Sequence, residues 1–403
     1  MTRILTTALA IVTLLEVLTG PVAAQPEPGR SPAPSQASLA DRPADGPGEV
    51  ETPANVDPPA EMAFDDPAWR RVRPGRGPAA REDHTWTVDA DRRFAWLFGG
   101  RDGGRVFGDL WRFDLATDDW RRIKPRNRGP EARFGHSAAW VDGQGLVVFA
   151  GQRGSDFFGD LWAFDAGARR WTRLPARGGS PSARYGSCAV VGPARRLLIS
   201  HGFTFAGRLD DTRAYDFGSR RWTRVGPVGR RPGQRCLHDC FTSADGHLVL
   251  YGGQDDSAGA LGDLWTVRGD GTWRRVADPA PPPRRLYAVT EAGADAWVFG
   301  GADEDDDPLA DLWRVDRETL TFERVEVRGA GPSARYAGTL VTDAERGRLL
   351  LFGGQGTRAR DDVWQLIDLA GARADDPARQ PAASPAVASP PSPEPTEGPD
   401  QGT

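Results

Sequence analysis

The chain has 403 residues, 27% of them charged and 9% aromatic, with a formal net charge of −5. That balance argues against a general nucleic-acid binder, which needs a cationic surface to release counterions. The three cysteines, Cys188, Cys236 and Cys240, leave at least one thiol over, and export would permit a disulfide.

Met1–Ala24 has the layout of a secretory signal peptide. Arg3 supplies the positive start, Ile4–Leu18 the apolar run, and Val22-Ala23-Ala24 the small residues of a cleavage site. Cleavage there starts the mature chain at Gln25. Glu16 and Pro21 spoil the ~20 clean apolar residues that a spanning helix wants. The mature chain is therefore expected to lack a membrane span and to be secreted or periplasmic. Residues 25–60 and 370–403 are rich in Pro, Ala, Ser and Gly. Neither has enough apolar side chains to offset chain entropy, so both read as disordered tails. Residues 61–369 remain, enough for one large all-β domain.

That central part repeats. Trp69, Trp120, Trp171, Trp222 and Trp273 are spaced 51 residues apart, and Phe322 continues the series after 49. Three further markers keep step with them. Gly99-Gly100, Ala150-Gly151, His201-Gly202, Gly252-Gly253, Gly300-Gly301 and Gly353-Gly354 each end an apolar strand. Asp109-Leu110-Trp111 recurs at Asp160, Asp263 and Asp311, with the variants Asp362-Val363-Trp364 and Asp211-Thr212-Arg213. An arginine opens each unit: Arg81, Arg133, Arg184, Arg235, Arg284 and Arg335. Each unit reads as four short strands, with a reversal at φ > 0 on the glycine pair. Ten of the fourteen tryptophans occupy two repeat positions, which is a packing pattern.

The opening Arg, double glycine, Asp-Leu-Trp strand and closing Trp strand resemble the kelch repeat across residues 66–369. The resemblance implies an all-β, six-bladed β-propeller of four-stranded blades. Trp69 precedes the first glycine pair, and no closing Trp strand follows Trp364. Ala68–Val72 is thus expected to complete the last blade and close the ring.

By the same resemblance the opening arginines start the innermost strands and line the channel. Six guanidinium forks there would suit carboxylates of acidic peptides or acidic sugars. Against that stands a purely structural role, with each Arg holding loop carbonyls of its neighbour blade. His84, His136 and His238 lie three residues after an opening Arg. On a closed ring they could share a channel layer, which would suit zinc or copper, although such a position is equally filled by a packed imidazole. No cofactor is expected. Cys188 either bridges to Cys236 or Cys240 on the adjacent inner strand or stays reduced. The acidic run Asp303–Asp307 fits no calcium-loop spacing. The third unit breaks the pattern most, and its loop residues Phe203, Phe205 and Arg208 form a second contact set. The loops Val106-Phe107 and Phe157-Phe158 look similar and could extend it into an apolar rim.

The expected function is a monomeric, non-enzymatic scaffold that presents one channel mouth to a protein or glycan. The alternative is a carbohydrate-active enzyme of the sialic acid mutarotase type, for which an arginine ring would suit an acidic sugar. A galactose-oxidase-like copper enzyme fits less well: Arg184-Tyr185-Gly186-Ser187 and Arg235-Cys236-Leu237-His238 both miss the Arg-x-Tyr-His-Ser segment that such enzymes carry.

Overall fold

The computed structural model describes residues 67–368 apart from 227–228, 258 and 277–280. The expected signal peptide and both expected disordered tails lie outside those residues.

Six sheets built on four antiparallel strands follow one another along the chain, and the third gains a fifth, two-residue strand, Arg177–Gly178, that pairs in parallel at its outer edge. Blade 1 runs Thr85–Val88, Phe94–Phe98, Leu110–Asp114 and Asp119–Ile123, from the inner strand to the outer. Blades 2 to 5 repeat that order, with inner strands Ser137–Val141, Cys188–Gly192, Asp239–Thr242 and Ala288–Ala292. Blade 6 takes Thr339–Asp343, Arg348–Phe352 and Val363–Asp368 from the end of the domain and Pro67–Val72 from its start. Trp69 sits opposite Leu366 in that last pairing. The ring is therefore closed by the N-terminal strand, and two strand edges disappear.

The position of a strand within its blade sets its pattern. Second strands lie between neighbouring blades and are apolar on both faces; Leu248–Tyr251 is buried throughout. Outer strands of blades 1 to 5 bury one residue, the repeat aromatic, and expose the charged and polar residues beside it, as in Asp119–Ile123. That aromatic spans the gap to the preceding blade. Trp171 meets Phe98 at 5.4 Å between ring centroids, Trp222 meets Phe149 at 5.3 Å, Trp120 meets Phe352 at 5.1 Å and Trp69 meets Phe299 at 5.4 Å. Blade 3 departs from this rule: Ser200 stands where the others carry Phe or Tyr. The imidazole of His201 fills the gap and faces Trp273 at 6.0 Å. The glycine-pair reversals are left-handed as the repeat requires, with φ of 67° at Gly99 and 96° at Gly100. Ala150 and His201 hold the same conformation despite their Cβ atoms, at 64° and 55°.

Candidate functional site: the axial mouth

The opening arginines do not begin the inner strands. Each precedes its strand by a few residues and turns its side chain back into its own blade. Arg133 is fully buried; its Nη1 donates to the Ala150 carbonyl at 2.8 Å and to Asp160 at 2.6 Å, its Nη2 to the other Asp160 oxygen at 3.2 Å, and its Nε to the Glu131 carbonyl at 3.0 Å. Arg81, Arg184, Arg235, Arg284 and Arg335 repeat this on Asp109, Asp211, Asp263, Asp311 and Asp362. The repeat tryptophan completes the unit, as where the Trp162 indole N–H donates to Asp160 at 2.7 Å. In blade 3 Arg213 takes that place on Asp211 at 2.8 Å. Burial would raise these aspartates, but the guanidinium bonds, the Arg charge and the indole N–H, or in blade 3 Arg213, outweigh it and hold all six below their ordinary range.

This corrects the expectation of an arginine ring lining the channel. The six guanidiniums are spent on aspartates and carbonyls within each blade, and none lines the axial cavity. The backbone, by contrast, does link blades: Gly100 N–H donates to the Arg133 carbonyl at 2.9 Å, and Gly151 N–H to that of Arg184 at 2.9 Å.

Two residues past each opening Arg the chain reaches the axis. Asp83, Gly135, Gly186, Leu237, Leu286 and Ala337 all adopt positive φ, between 52° and 63°. Gly135 N–H donates to Asp83 O, Gly186 to Gly135, Leu237 to Gly186, Leu286 to Leu237, Ala337 to Leu286 and Asp83 to Ala337, at 2.6–3.0 Å. Six peptide groups thus form a closed belt around the axis. Inside it a cavity of about 240 Å³ is lined by inner strands of all six blades.

The residues between the opening Arg and the belt face the mouth that carries the long blade loops. They are Glu82, Phe134, Tyr185, Cys236, Arg285 and Tyr336. Arg101 from the first blade loop binds Glu82 at 3.1 Å and Asp83 at 3.2 Å and lies over the Phe134 ring at 4.4 Å. Two carboxylates share one guanidinium. Burial, with Asp83 next, pushes the Glu82 carboxyl up to about 7, and burial raises Asp83 as well. On the blade 4–5 side Arg285 reaches Asp306 and the Asp303 carbonyl. The acidic run is internally tied, since Asp303 accepts from the N–H groups of Asp305 and Asp307 at 3.0 and 2.9 Å. Among the described residues no cluster of three or more His, Cys, Asp or Glu is arranged to hold a metal.

The other half of the mouth is apolar. Phe134, Tyr185, Cys236 and Leu237 form a buried cluster with Val106, Phe157, Phe203 and Leu286 packed on it. The elongated hairpin of blade 3, Arg196–Thr204 and Gly207–Asp216, carries Phe205 to its tip. Phe205 is 60% exposed and meets the Phe157 ring edge-on at 4.6 Å. Phe203 is half-buried, and Arg208 is buried beside it and paired with Asp256. Sequence reasoning found Phe203, Phe205 and Arg208 because they interrupt the repeat. It passed over Glu82, Asp83, Arg101 and Tyr336, although the position after each opening Arg varies in chemistry from blade to blade.

His84, His136 and His238 all line the axial cavity but do not assemble a metal-holding cluster among the described residues. His136 bonds Thr85 at 2.9 Å and packs on Phe98, both of the preceding blade, and His84 does the same with Thr339 and Phe352. His238 packs on His201 at 5.6 Å. Burial, then the neighbouring arginine, drops His136 and His238 to about 3 and His84 well below its ordinary value. They are neutral wedges between blades. Cys188 and Cys240 form a disulfide between the inner strands of blades 3 and 4. Cys236 is a buried free thiol that burial pushes up to about 11. Such a thiol is a poor nucleophile at neutral pH.

Similarity to known proteins agrees with this geometry. The family model described as the KLHDC2/KLHL20/DRC7 Kelch-repeats domain matches residues 60–246 and 227–370. An F-box/kelch-repeat protein of Arabidopsis thaliana is 28% identical over 269 residues, covering 59% of this chain and 55% of that protein. Acyl-CoA-binding domain-containing protein 4 of the same plant is 27% identical, covering 72% and 45%. Host cell factor 1 of Homo sapiens is 29% identical, covering 62% and 13%. The chain thus spans between an eighth and little more than half of these relatives' lengths. No helix among the described residues is long and apolar enough to cross a membrane. Repeat markers, blade geometry and the family match together place this chain in the kelch-repeat family, whose propellers are typically protein-interaction scaffolds.

Proposed function

We propose that this chain is an exported, monomeric interaction scaffold that engages a partner protein through the loop-bearing mouth. Phe205 carries the reading, as an exposed large apolar side chain set edge-on against Phe157 at the rim of a buried aromatic cluster. Large apolar groups held out on a rigid scaffold mark contact sites. Phe203 flanks the hairpin tip, and Arg208 opposite it fixes the tip to the blade 4 loop through Asp256. Export is supported by the Cys188–Cys240 bridge, since disulfides persist in oxidising compartments. A glycan ligand, or sialic acid mutarotase chemistry, drew its appeal from free guanidiniums around the axis. With those arginines bound to aspartates, a protein partner fits the mouth better.

The test uses a partner captured from the extracellular fraction, identified, and measured again as a purified pair. Phe205→Asp should weaken that pair about tenfold or more, while Arg324→Gln on the exposed outer strand of blade 5 should leave it unchanged. Wild-type affinity in Phe205→Asp would remove this mouth from the function.

A further inference from the structure

The outer wall where blade 6 meets blade 1 holds an open groove of ≈ 1160 Å³. Arg71, Arg73, Arg76, Arg105, Arg121 and Arg122 line it. All six are exposed, and none has an ion-pair partner among the described residues. Three carboxylates also line the groove. Asp109 and Asp362 are committed to Arg81 and Arg335, which leaves Asp361. The local balance is strongly positive on a chain whose formal net charge is −5.

The connectors between blades differ in how they meet the outer strands. Length alone does not set this: the chain advances 13 residues from Trp120 to Arg133 (133 − 120), 12 from Trp69 to Arg81 (81 − 69) and 11 from Trp273 to Arg284 (284 − 273). In blade 2 the longer connector seals the outer strand: Arg126 N–H donates to the Arg169 carbonyl at 2.8 Å, and the Asn127 amide bonds the Trp171 backbone in both directions. In blade 3 Arg177–Gly178 pairs in parallel with Arg221–Trp222. In blade 6 Arg328 N–H donates to the Pro67 carbonyl at 3.2 Å. In blade 1 the connector meets Asp119–Ile123 through Gly75 N–H on the Asp119 carboxylate at 3.5 Å and through Gly77 lying against the Trp120 indole. No backbone hydrogen bond joins that connector to the strand among the described residues.

An uncovered edge strand is a template for a further extended chain. We propose that this groove docks an acidic, extended segment of a partner protein. The segment adds as a strand along Asp119–Ile123, and its carboxylates meet Arg73, Arg76, Arg121 and Arg122. Backbone bonds supply affinity and register, and the guanidinium forks select carboxylates. A sulfated glycan would match the charge but offers no amide ladder, and the backbone edge of Asp119–Ile123, which takes no backbone bond from its connector among the described residues, is what distinguishes blade 1 from blades 2, 3 and 6. This site is separate from the axial mouth and stands without it.

The probe is a fluorescein-labelled peptide of about eight residues, a usual strand length, alternating Asp and Thr. Its anisotropy is titrated with the full chain at low salt. Saturable one-to-one binding is expected. It should fall about tenfold or more in Arg73→Gln/Arg76→Gln/Arg121→Gln/Arg122→Gln, with the thermal midpoint unchanged because all four side chains are exposed. A peptide of the same charge with alternate amides N-methylated should lose binding to the same degree. Absence of saturable binding, or an undiminished quadruple variant, overturns the site. Equal binding of the N-methylated peptide overturns strand addition. A sulfated oligosaccharide of matched charge that binds more tightly than the peptide overturns the choice of ligand.

Discussion

The backbone N–H of Asp83 donates to the carbonyl of Ala337 at 3.0 Å, across 254 positions of sequence (337 − 83). It is the last link of the axial belt, and it joins blade 1 to blade 6 at the centre of the ring, as Pro67–Val72 joins them at its rim. All six residues of the belt need left-handed backbone, which costs a non-glycine residue about 1–2 kcal/mol. Asp83, Leu237, Leu286 and Ala337 bear that strain, and the cyclic hydrogen bonds of a buried axis offset it.

Gly135→Val tests the belt. A Cβ at Gly135 would meet the Tyr185 ring at 2.3 Å, and φ is +57°. Left-handed strain and overpacking together should cost about 3 kcal/mol, read as a lower urea midpoint. Ala337→Gly, which relieves strain at φ +52°, should change stability by less than about 1 kcal/mol. An unchanged midpoint in Gly135→Val would show that the axis tolerates a broken belt.

Closure at the rim makes a second prediction. Trp69 is buried against Phe299 and sits opposite Leu366 in the pairing of Pro67–Val72 with Val363–Asp368. Trp69→Ala should cost about 3–5 kcal/mol. Deletion of residues 66–73 should abolish cooperative unfolding altogether, because it exposes the edge of Val363–Asp368 and one face of the blade 5 core. A deletion that melts like the intact domain would sink the closure scheme.

The six blades and their N-terminal closure were legible because Trp69, Trp120, Trp171, Trp222 and Trp273 mark one packing position at one period. The belt was hidden, because Asp83, Gly135, Gly186, Leu237, Leu286 and Ala337 share a backbone angle and no side-chain chemistry. The arginine ring was misplaced for a related reason. A conserved period tells which residues are equivalent but leaves open which way they turn, and Arg133 turns into Asp160 rather than toward the axis. His136 and His238 were grouped by the same equivalence, yet each imidazole fills a gap in the blade before it.

Glu82 makes the mouth sensitive to pH. Burial, with Asp83 beside it, lifts its carboxyl to about 7 in the folded protein, from an ordinary 4.5. Between those values the folded chain keeps a proton that the unfolded chain has released, so this group's contribution to stability falls as pH rises from about 4.5 to 7. The buried histidines act in the opposite sense, because their folded values are depressed and their contribution is lost as pH falls below 6.5. They are common to wild type and Glu82→Gln and cancel in the comparison. The stability of Glu82→Gln relative to wild type should therefore climb across that window in chemical denaturation and level off above it. A difference independent of pH would mean that Glu82 is ionised throughout.

The bridge between blades 3 and 4 makes the last prediction. Cys188 and Cys240 lie 52 residues apart, and closing a loop of that length removes unfolded-chain entropy worth about 4 kcal/mol. Cys188→Ala/Cys240→Ala should lower stability by about that amount, less whatever order the unfolded chain retains. Thiol titration separates the chemistry from the packing. The native protein should release no reactive thiol, because Cys236 is buried. Denaturation without reductant should expose one thiol per chain, and denaturation with reductant all three. Three reactive thiols in unreduced, denatured protein purified from its own compartment would show that the bridge does not form there, and would remove the physical support for export.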